Sequence, residues 1–190
     1  PAGQGGAGGF VTVTTGTGNA TIGAIDTSGG QTQQGGSITG GNAGNVTLTS
    51  GGGSFVLDGS TIDARGGTSA GTKVGAGGSV NVAGPATMSG TSEIMTNGGT
   101  NGTIRFNSTL DGVTAGAGVL NLTAGGGNVT FNGPVGATTR AGAINVISSG
   151  TLALNATTAA SLTTSSTGAV NVAAAVNTTG ATSITSDGLV

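Results

Sequence analysis

The chain contains no cysteine, histidine, tryptophan or tyrosine, and only 5% of its 190 residues are charged. Without thiolates or imidazoles it cannot form the common zinc sites, a cysteine nucleophile or a histidine-based triad. Its four cationic side chains are scattered and its net charge is −2. Nucleic-acid binding needs clustered cations and usually stacking aromatics, so we do not expect a nucleic-acid partner.

Long apolar runs are also missing. No stretch approaches the ~20 residues of a membrane-spanning helix, so membrane insertion is not expected. The sequence starting at Pro1 shows no basic segment followed by an apolar one, and we expect no signal peptide within it. Because repetitive sequence extends to both ends, we expect residues 1–190 to form one segment of a longer repetitive protein.

Glycine, threonine, serine and asparagine together make up more than half of the chain, with 43 glycines among them. The frequent glycines and β-branched residues disfavour helix. A silk-like or disordered chain is one alternative, but the apolar residues are locally clustered rather than scattered. An antiparallel sandwich is another, although it normally has an aromatic core and this chain has only four phenylalanines.

A short unit recurs in which a glycine is followed by four residues, the second and fourth of them large and apolar. This alternation predicts strands with one face buried. The glycines that precede the units are Gly9, Gly44, Gly78, Gly102, Gly118, Gly142 and Gly168. We expect the following side chains to point inward: Val46, Leu48, Val80, Val82, Ile104, Phe106, Leu120, Leu122, Ile144, Val146, Val170 and Val172.

The spacing of the units is uneven. Several successive units begin about 24 to 26 residues apart, which suits one turn of a stacked coil. The first two steps are longer and require a loop such as Gln31–Gln34. The shortest step, between the units that follow Gly102 and Gly118, suggests two strands of one shared turn. Between the units lies a second family of strands, around Ile22–Ile25, Ile62 and Ile94 and at positions 128–131 and 150–154.

Short strands of this kind become stable when each pairs with its equivalents above and below, ~4.8 Å away, with like side chains stacked. The sequence therefore predicts an all-β fold: a single parallel β-solenoid over residues 1–190, with about 24 residues per turn.

Residues 44–94 and 118–172 resemble filamentous-haemagglutinin-type exoproteins, because their predicted strands lie in a similar glycine- and threonine-rich sequence. The resemblance implies a right-handed β-helical shaft, secreted to a bacterial surface. The secretion-domain motifs found at the start of such proteins are absent from this text, as expected for an internal shaft segment.

Three carboxylates, Asp26, Asp63 and Glu93, each flank an isoleucine of the second strand family. Stacked together they would suit Ca²⁺, and with Arg65 or Arg105 they would resemble the sites of polysaccharide lyases. However, Glu93 precedes its isoleucine whereas the aspartates follow theirs. We therefore interpret these residues as surface charges, and we assign no catalytic residue, cofactor or metal site.

Other motifs are equally weak. The glycine runs lack the lysine and the following helix of a phosphate loop. A regular threonine array for ice binding, at Thr12, Thr47 and Thr123, is interrupted by Asn81, Arg105, Asn145 and Asn171. Some of the eight Asn-x-Ser/Thr sequons could carry glycans; they lie at Asn19, Asn45, Asn101, Asn107, Asn121, Asn128, Asn155 and Asn177.

The expected function is that of a non-catalytic structural or adhesive fibre, located outside the cell or on the bacterial surface. Its main partner would be itself, through end-to-end stacking or continuation of the same chain, with surface glycans or other cells as further partners. The alternative is a module that binds a carbohydrate or host ligand, which the lack of tryptophan and tyrosine disfavours.

Overall fold

Alternating apolar and polar residues form short strands at intervals along the chain. A computed structural model describes residues 4–33 and 37–188, which contain seventeen β-strands in two parallel sheets. Numbered in chain order, the seven-stranded sheet consists of β1 (Val11–Thr15), β3 (Val46–Ser50), β5 (Val80–Val82), β8 (Ile104–Phe106), β11 (Val129–Phe131), β13 (Leu152–Leu154) and β15 (Val170–Val172).

The second sheet has ten strands and is less regular. It consists of β2 (Ala20–Asp26), β4 (Phe55–Asp63), β6 (Ala86–Met88), β7 (Thr91–Met95), β9 (Leu110–Gly112), β10 (Val119–Thr123), β12 (Ala141–Ser149), β14 (Thr157–Ser166), β16 (Val176–Thr178) and β17 (Thr182–Ser186).

In the seven-stranded sheet, the order of the strands in space is the same as their order along the chain. Each strand pairs in parallel with the next, and like positions stay in register. The first apolar position of every strand therefore lies over its equivalent, in the order Val11, Val46, Val80, Ile104, Val129, Leu152 and Val170.

The apolar core contains side chains from both sheets. Phe106 and Phe131 stack in it with their ring centroids 5.1 Å apart and their planes 6° from parallel. Of the twelve side chains predicted to point inward, eleven are buried and that part of the prediction is confirmed. The exception is Val172 in β15, which is 46% exposed.

The expected single β-solenoid is wrong. The chain is all-β with parallel sheets, but its strands form two sheets, of seven and ten strands, with a half-barrel curl. In the ten-stranded sheet β4 pairs with three strands, β2, β6 and β7. The register also shifts between β2 and β4, between β10 and β12 and between β12 and β14. A single stacked solenoid with about 24 residues per turn therefore does not describe the fold.

The error arose because the seven glycine-led units were treated as equivalent. The units that follow Gly118 and Gly142 contribute to β10 and β12 of the ten-stranded sheet, whereas the others belong to the seven-stranded sheet. Positions 128–131 and 150–154, assigned to the second family, supply β11 and β13 to the seven-stranded sheet instead. Both sheets bury alternate residues, so local alternation does not distinguish them.

The long steps in the repeat contain a second kind of backbone pairing, outside the strands. Backbone N–H groups of glycines donate to carbonyl groups of earlier glycines at 2.7–2.9 Å. We call this series the glycine ladder; it links, in order, Gly6, Gly30, Gly41, Gly67, Gly75 and Gly99. Thr32 also bridges in parallel to Ser69. Of the predicted loop Gln31–Gln34, Gln34 lies outside the described residues.

Candidate functional site

Asp26 and Asp63 are the last residues of β2 and β4, and they are paired in register. Each carboxylate accepts a hydrogen bond from the backbone N–H two residues later. The Ser28 N–H donates to Asp26 Oδ1 at 2.8 Å, and the Arg65 N–H donates to Asp63 Oδ1 at 3.0 Å. These two Asx turns fix the direction in which the chain leaves both strands.

Arg65 and Asp63 form a bidentate ion pair. The Arg65 Nε lies 3.0 Å from Asp63 Oδ1 and Nη2 lies 2.6 Å from Oδ2. The pair is only partly shielded, with the Arg65 side chain 48% exposed and that of Asp63 17% exposed. The hydrogen bond to Asp63 raises the pKa of Arg65, and the charges of Asp63, Asp26 and Glu93 add to this. Arg65 is therefore a cation held by Asp63 and further stabilised by the charges of Asp26 and Glu93.

Hydrogen bonds also stabilise the ionised form of Asp26. Donation from Ser28 lowers the pKa of Asp26 below its usual value of 3.8, with a smaller contribution from the charge of Arg65. Because Asp26 is exposed, solvent screens this effect.

The third predicted carboxylate, Glu93, does not join this pair. In β7, Glu93 is paired with Thr61, and it is Met95 that lies in register with Asp63. The register follows the isoleucines, since Ile62 pairs with both Ile25 and Ile94. Within residues 4–33 and 37–188, no group of three carboxylates is placed to hold a metal ion. Arg105 lies in β8 of the other sheet.

A cleft of about 490 Å³ opens beside the Asp63–Arg65 pair. Its floor is backbone, because Gly29, Gly66 and Gly67 are buried and hydrogen-bonded to other chain segments. The side chains around it are those of Asp26, Ser28, Gln31, Asp63, Arg65, Thr68, Val74 and Asn97.

Asn97 also lines the cleft, but its side-chain oxygen is not accessible from it. Its Oδ1 is inaccessible to solvent and has no hydrogen-bond partner among the described residues. Most buried polar atoms in proteins are hydrogen-bonded, so this oxygen is an exception. The sequence analysis identified neither Asn97 nor the cleft. Two residues that line the cleft, Thr68 and Val74, lie in the segment that lengthens one repeat step.

Asparagines also connect successive strands of the seven-stranded sheet. Asn107 Nδ2 donates to Asn81 Oδ1 at 2.8 Å, and Asn132 Nδ2 donates to Asn107 Oδ1 at 2.8 Å. Asn155 Nδ2 then donates to the Asn132 carbonyl at 2.7 Å. We call these four residues the asparagine ladder. An asparagine in or just after an apolar strand, recurring at similar intervals along the chain, was the available signal.

The sequon asparagines are mostly engaged in similar bonds. Asn45 accepts from the Ser79 N–H at 2.8 Å, and Asn121 accepts from Asn145 Nδ2 at 2.9 Å. Asn19, Asn101 and Asn128 accept backbone N–H donors in the same way, and Asn155 accepts from the Ala156 N–H. Glycan attachment at Asn107 or Asn155 would use a nitrogen that already donates a hydrogen bond.

The threonine array is short. Thr12 and Thr47 are register neighbours on the outer face of the seven-stranded sheet, and Asn81 and Arg105 follow them in the same column. Thr123 lies in β10 of the other sheet, and so does not extend this array.

No family model, curated protein or solved structure matches this chain. None of the described residues forms a helix long and apolar enough to cross a membrane.

Proposed function

We propose that this chain is a non-catalytic segment of an extracellular structural or adhesive fibre, and that it forms part of the shaft. The observation that carries the proposal is the strand order of the seven-stranded sheet, which follows the chain from β1 to β15. Because each strand is added at the same edge, further chain of this kind lengthens the sheet in one direction.

The bonds between neighbouring strands support the same proposal. The asparagine ladder joins Asn81, Asn107, Asn132 and Asn155 across successive strands of one sheet. The glycine ladder links the segments of the long steps in a similar way. These hydrogen bonds join neighbouring segments only. The same contacts can therefore be repeated as further strands are added, which lets a fibre be built to different lengths.

The proposed main partner is another stretch of the same kind of chain. β1 and β15 are the outer strands of the seven-stranded sheet, and an outer strand can pair with a further strand. Continuation of the chain or a second copy would supply that strand. Resemblance to filamentous-haemagglutinin-type exoproteins supports a location on the bacterial surface, where glycans and other cells are the further partners.

Imaging of native cells tests this proposal. Antibodies raised against the chain should label thin surface fibres by immunogold electron microscopy, and deletion of the gene should remove both the label and the fibres. A soluble cytoplasmic protein in fractionated cells, with no surface label, would overturn it.

A second candidate function is a ligand-binding module, and the cleft beside Asp63 and Arg65 favours it. Its volume lies in the range of roughly 300–1,000 Å³ that is typical of small-molecule sites, but such sites are mostly lined by apolar and aromatic side chains. A shaft that carries such a cleft would be adhesive rather than purely structural.

A further inference from the structure

We infer that the open edge of the seven-stranded sheet, at β15, is covered by the chain's own continuation from Gly188 and not by a second copy. This inference rests on the proposed shaft, and it decides between the two sources of a further strand that such a shaft could use. Gly188 is the last residue that the structure describes, and in the sequence it is followed by Leu189 and Val190.

The apolar core reaches this edge without a cover. Val172 in β15 is 46% exposed, although Leu154, its register partner in β13, is 2% exposed. In the second sheet Ile184 of β17 is 44% exposed, whereas its partner Thr164 in β14 is 2% exposed. Positions that are buried one strand earlier are therefore uncovered in the last described strands of both sheets. A further strand on each would bury them.

A row of closely packed glycines leads into the seven-stranded sheet. We call the glycine two residues before each strand its leading glycine. A Cβ atom on a leading glycine would overlap the backbone of an earlier leading glycine, in the pairs Gly44 and Gly9, Gly78 and Gly44, Gly102 and Gly78, Gly127 and Gly102, and Gly168 and Gly150. Gly188 packs against Gly168 in the same way, although no described strand follows it. Gly188 therefore holds the position from which an eighth strand of this sheet would start.

The residues just before Gly188 repeat the connection that precedes β15. Ser166 Oγ donates to the Gly150 carbonyl at 2.8 Å and to the Gly168 carbonyl at 3.0 Å. Ser186 Oγ donates to the Gly168 carbonyl at 2.8 Å and to the Gly188 carbonyl at 3.3 Å. Each serine thus joins the glycine that follows it to the leading glycine of the preceding strand. The start of the next segment is fixed by the same bridge as the start of β15.

The backbone hydrogen bonds assign a specific partner to the next strand. The N–H of the first residue of each strand donates to the carbonyl of the residue after the next leading glycine. The six pairs are Val11 and Asn45, Val46 and Ser79, Val80 and Thr103, Ile104 and Asn128, Val129 and Thr151, and Leu152 and Ala169, at 2.8–3.1 Å. By the same rule we expect the Val170 N–H to donate to the Leu189 carbonyl. Val190, the second residue after Gly188, supplies the apolar residue that this position requires.

A second copy would have to supply this strand through its own β1, the outer strand at the opposite edge of the sheet. The leading glycine of β1 is Gly9, and in register it would need the position against Gly168. Gly188 of the first copy already occupies that position. Pairing between copies would therefore displace residues 186–188 and break the two hydrogen bonds of Ser186. Continuation of the chain requires neither change.

Lengthening the chain tests the inference. One variant carries a copy of residues 171–188 after Val190, so that the pattern of β15 is repeated from Gly188. In the control variant, the copies of Val172, Val176 and Ile184 in the added segment are serine. By NMR, the Val170 amide should exchange with solvent at least tenfold more slowly in the first variant than in the control. The first variant should also unfold at a higher urea concentration, because the added side chains cover the exposed end of the core.

Light scattering over a tenfold range of concentration identifies the source of the strand, and circular dichroism verifies that both variants are folded. The inference predicts that the first variant is monomeric while its Val170 amide is protected. Equal exchange of Val170 in both variants, or protection in the original chain that appears only as it dimerises, would overturn it. Such a dimer would leave labelled surface fibres intact. Its detection is therefore distinguishable from failure of the shaft proposal, which requires those fibres to be absent.

Discussion

Gly66 packs so closely against the carbonyl group of Gly75 that a Cβ atom at position 66 would overlap it. The same holds for Gly41 against the carbonyl of Gly6, and for Gly40 against that of Gly67. Chain segments outside the strands therefore approach each other at distances that only glycine permits. The high glycine content of the long repeat steps is a requirement of packing.

The first prediction concerns this close packing. Gly66→Ala should lower the free energy of unfolding by about 1–3 kcal/mol or more, because the backbone must move to admit the methyl group. Gly23 lies in an exposed part of β2 with open space around it, and Gly23→Ala should be neutral or slightly stabilising. Urea unfolding of both variants measures the difference. Equal stability would contradict the packing described here.

The second prediction separates the two faces of one strand. Ile144 and Ile147 both lie in β12, but Ile144 is 1% exposed and Ile147 is 55% exposed. Ile144→Ala should lower the free energy of unfolding by about 2–5 kcal/mol, because it leaves a cavity in the core. Ile147→Ala should change stability by less than about 0.5 kcal/mol. Thermal and urea unfolding give both values, and a reversed order would show that the register of β12 is wrong.

The third prediction concerns the asparagine ladder. Asn107→Asp replaces the Nδ2 donor with an oxygen that faces Asn81 Oδ1. The substitution should therefore lower the free energy of unfolding by about 0.5–1.5 kcal/mol at neutral pH. Asn171 is exposed and lies in the same outer column as Asn81, which makes Asn171→Asp a suitable control. We expect the control to unfold at the wild-type urea concentration. If the asparagine ladder does not stabilise the fold, both variants will unfold at the same urea concentration.

The fourth prediction follows from the lowered pKa of Asp26. A carboxyl group with a lower pKa in the folded state contributes stability above its unfolded value, which is 3.8, and loses that contribution as the pH falls. The effect should stay below about 1 kcal/mol, because Asp26 is exposed. Asp26→Asn keeps an oxygen acceptor for Ser28 and should lose less stability than wild type between pH 7 and pH 3. Identical losses would argue against the Ser28 interaction.

The local features of this fold could be predicted from the sequence, whereas the assignment of strands to sheets could not. Alternation located the buried positions, including Val46, Leu48 and Ile104, since one face of each strand must be apolar. Whether a unit such as that following Gly118 belongs to one sheet or the other depends on backbone pairing with distant strands. That pairing leaves no mark in the alternation itself.

The candidate site shows the same division. Asp26 and Asp63 could be placed together because each follows an isoleucine, and Glu93 is displaced because it precedes one. Asn97 and the glycine ladder were not foreseen. The glycine ladder consists of backbone hydrogen bonds, and its glycines have no side chains from which a pattern could be read.

The central claim, that the chain is part of a fibre shaft, is tested most directly by cryo-electron microscopy of fibres sheared from native cells and identified with an antibody against this chain. The account predicts continuous filaments whose strands run across the fibre axis with an axial spacing of ~4.8 Å between parallel neighbours. Antibody-bound particles of fixed size, with no axial repeat of this spacing, would contradict it.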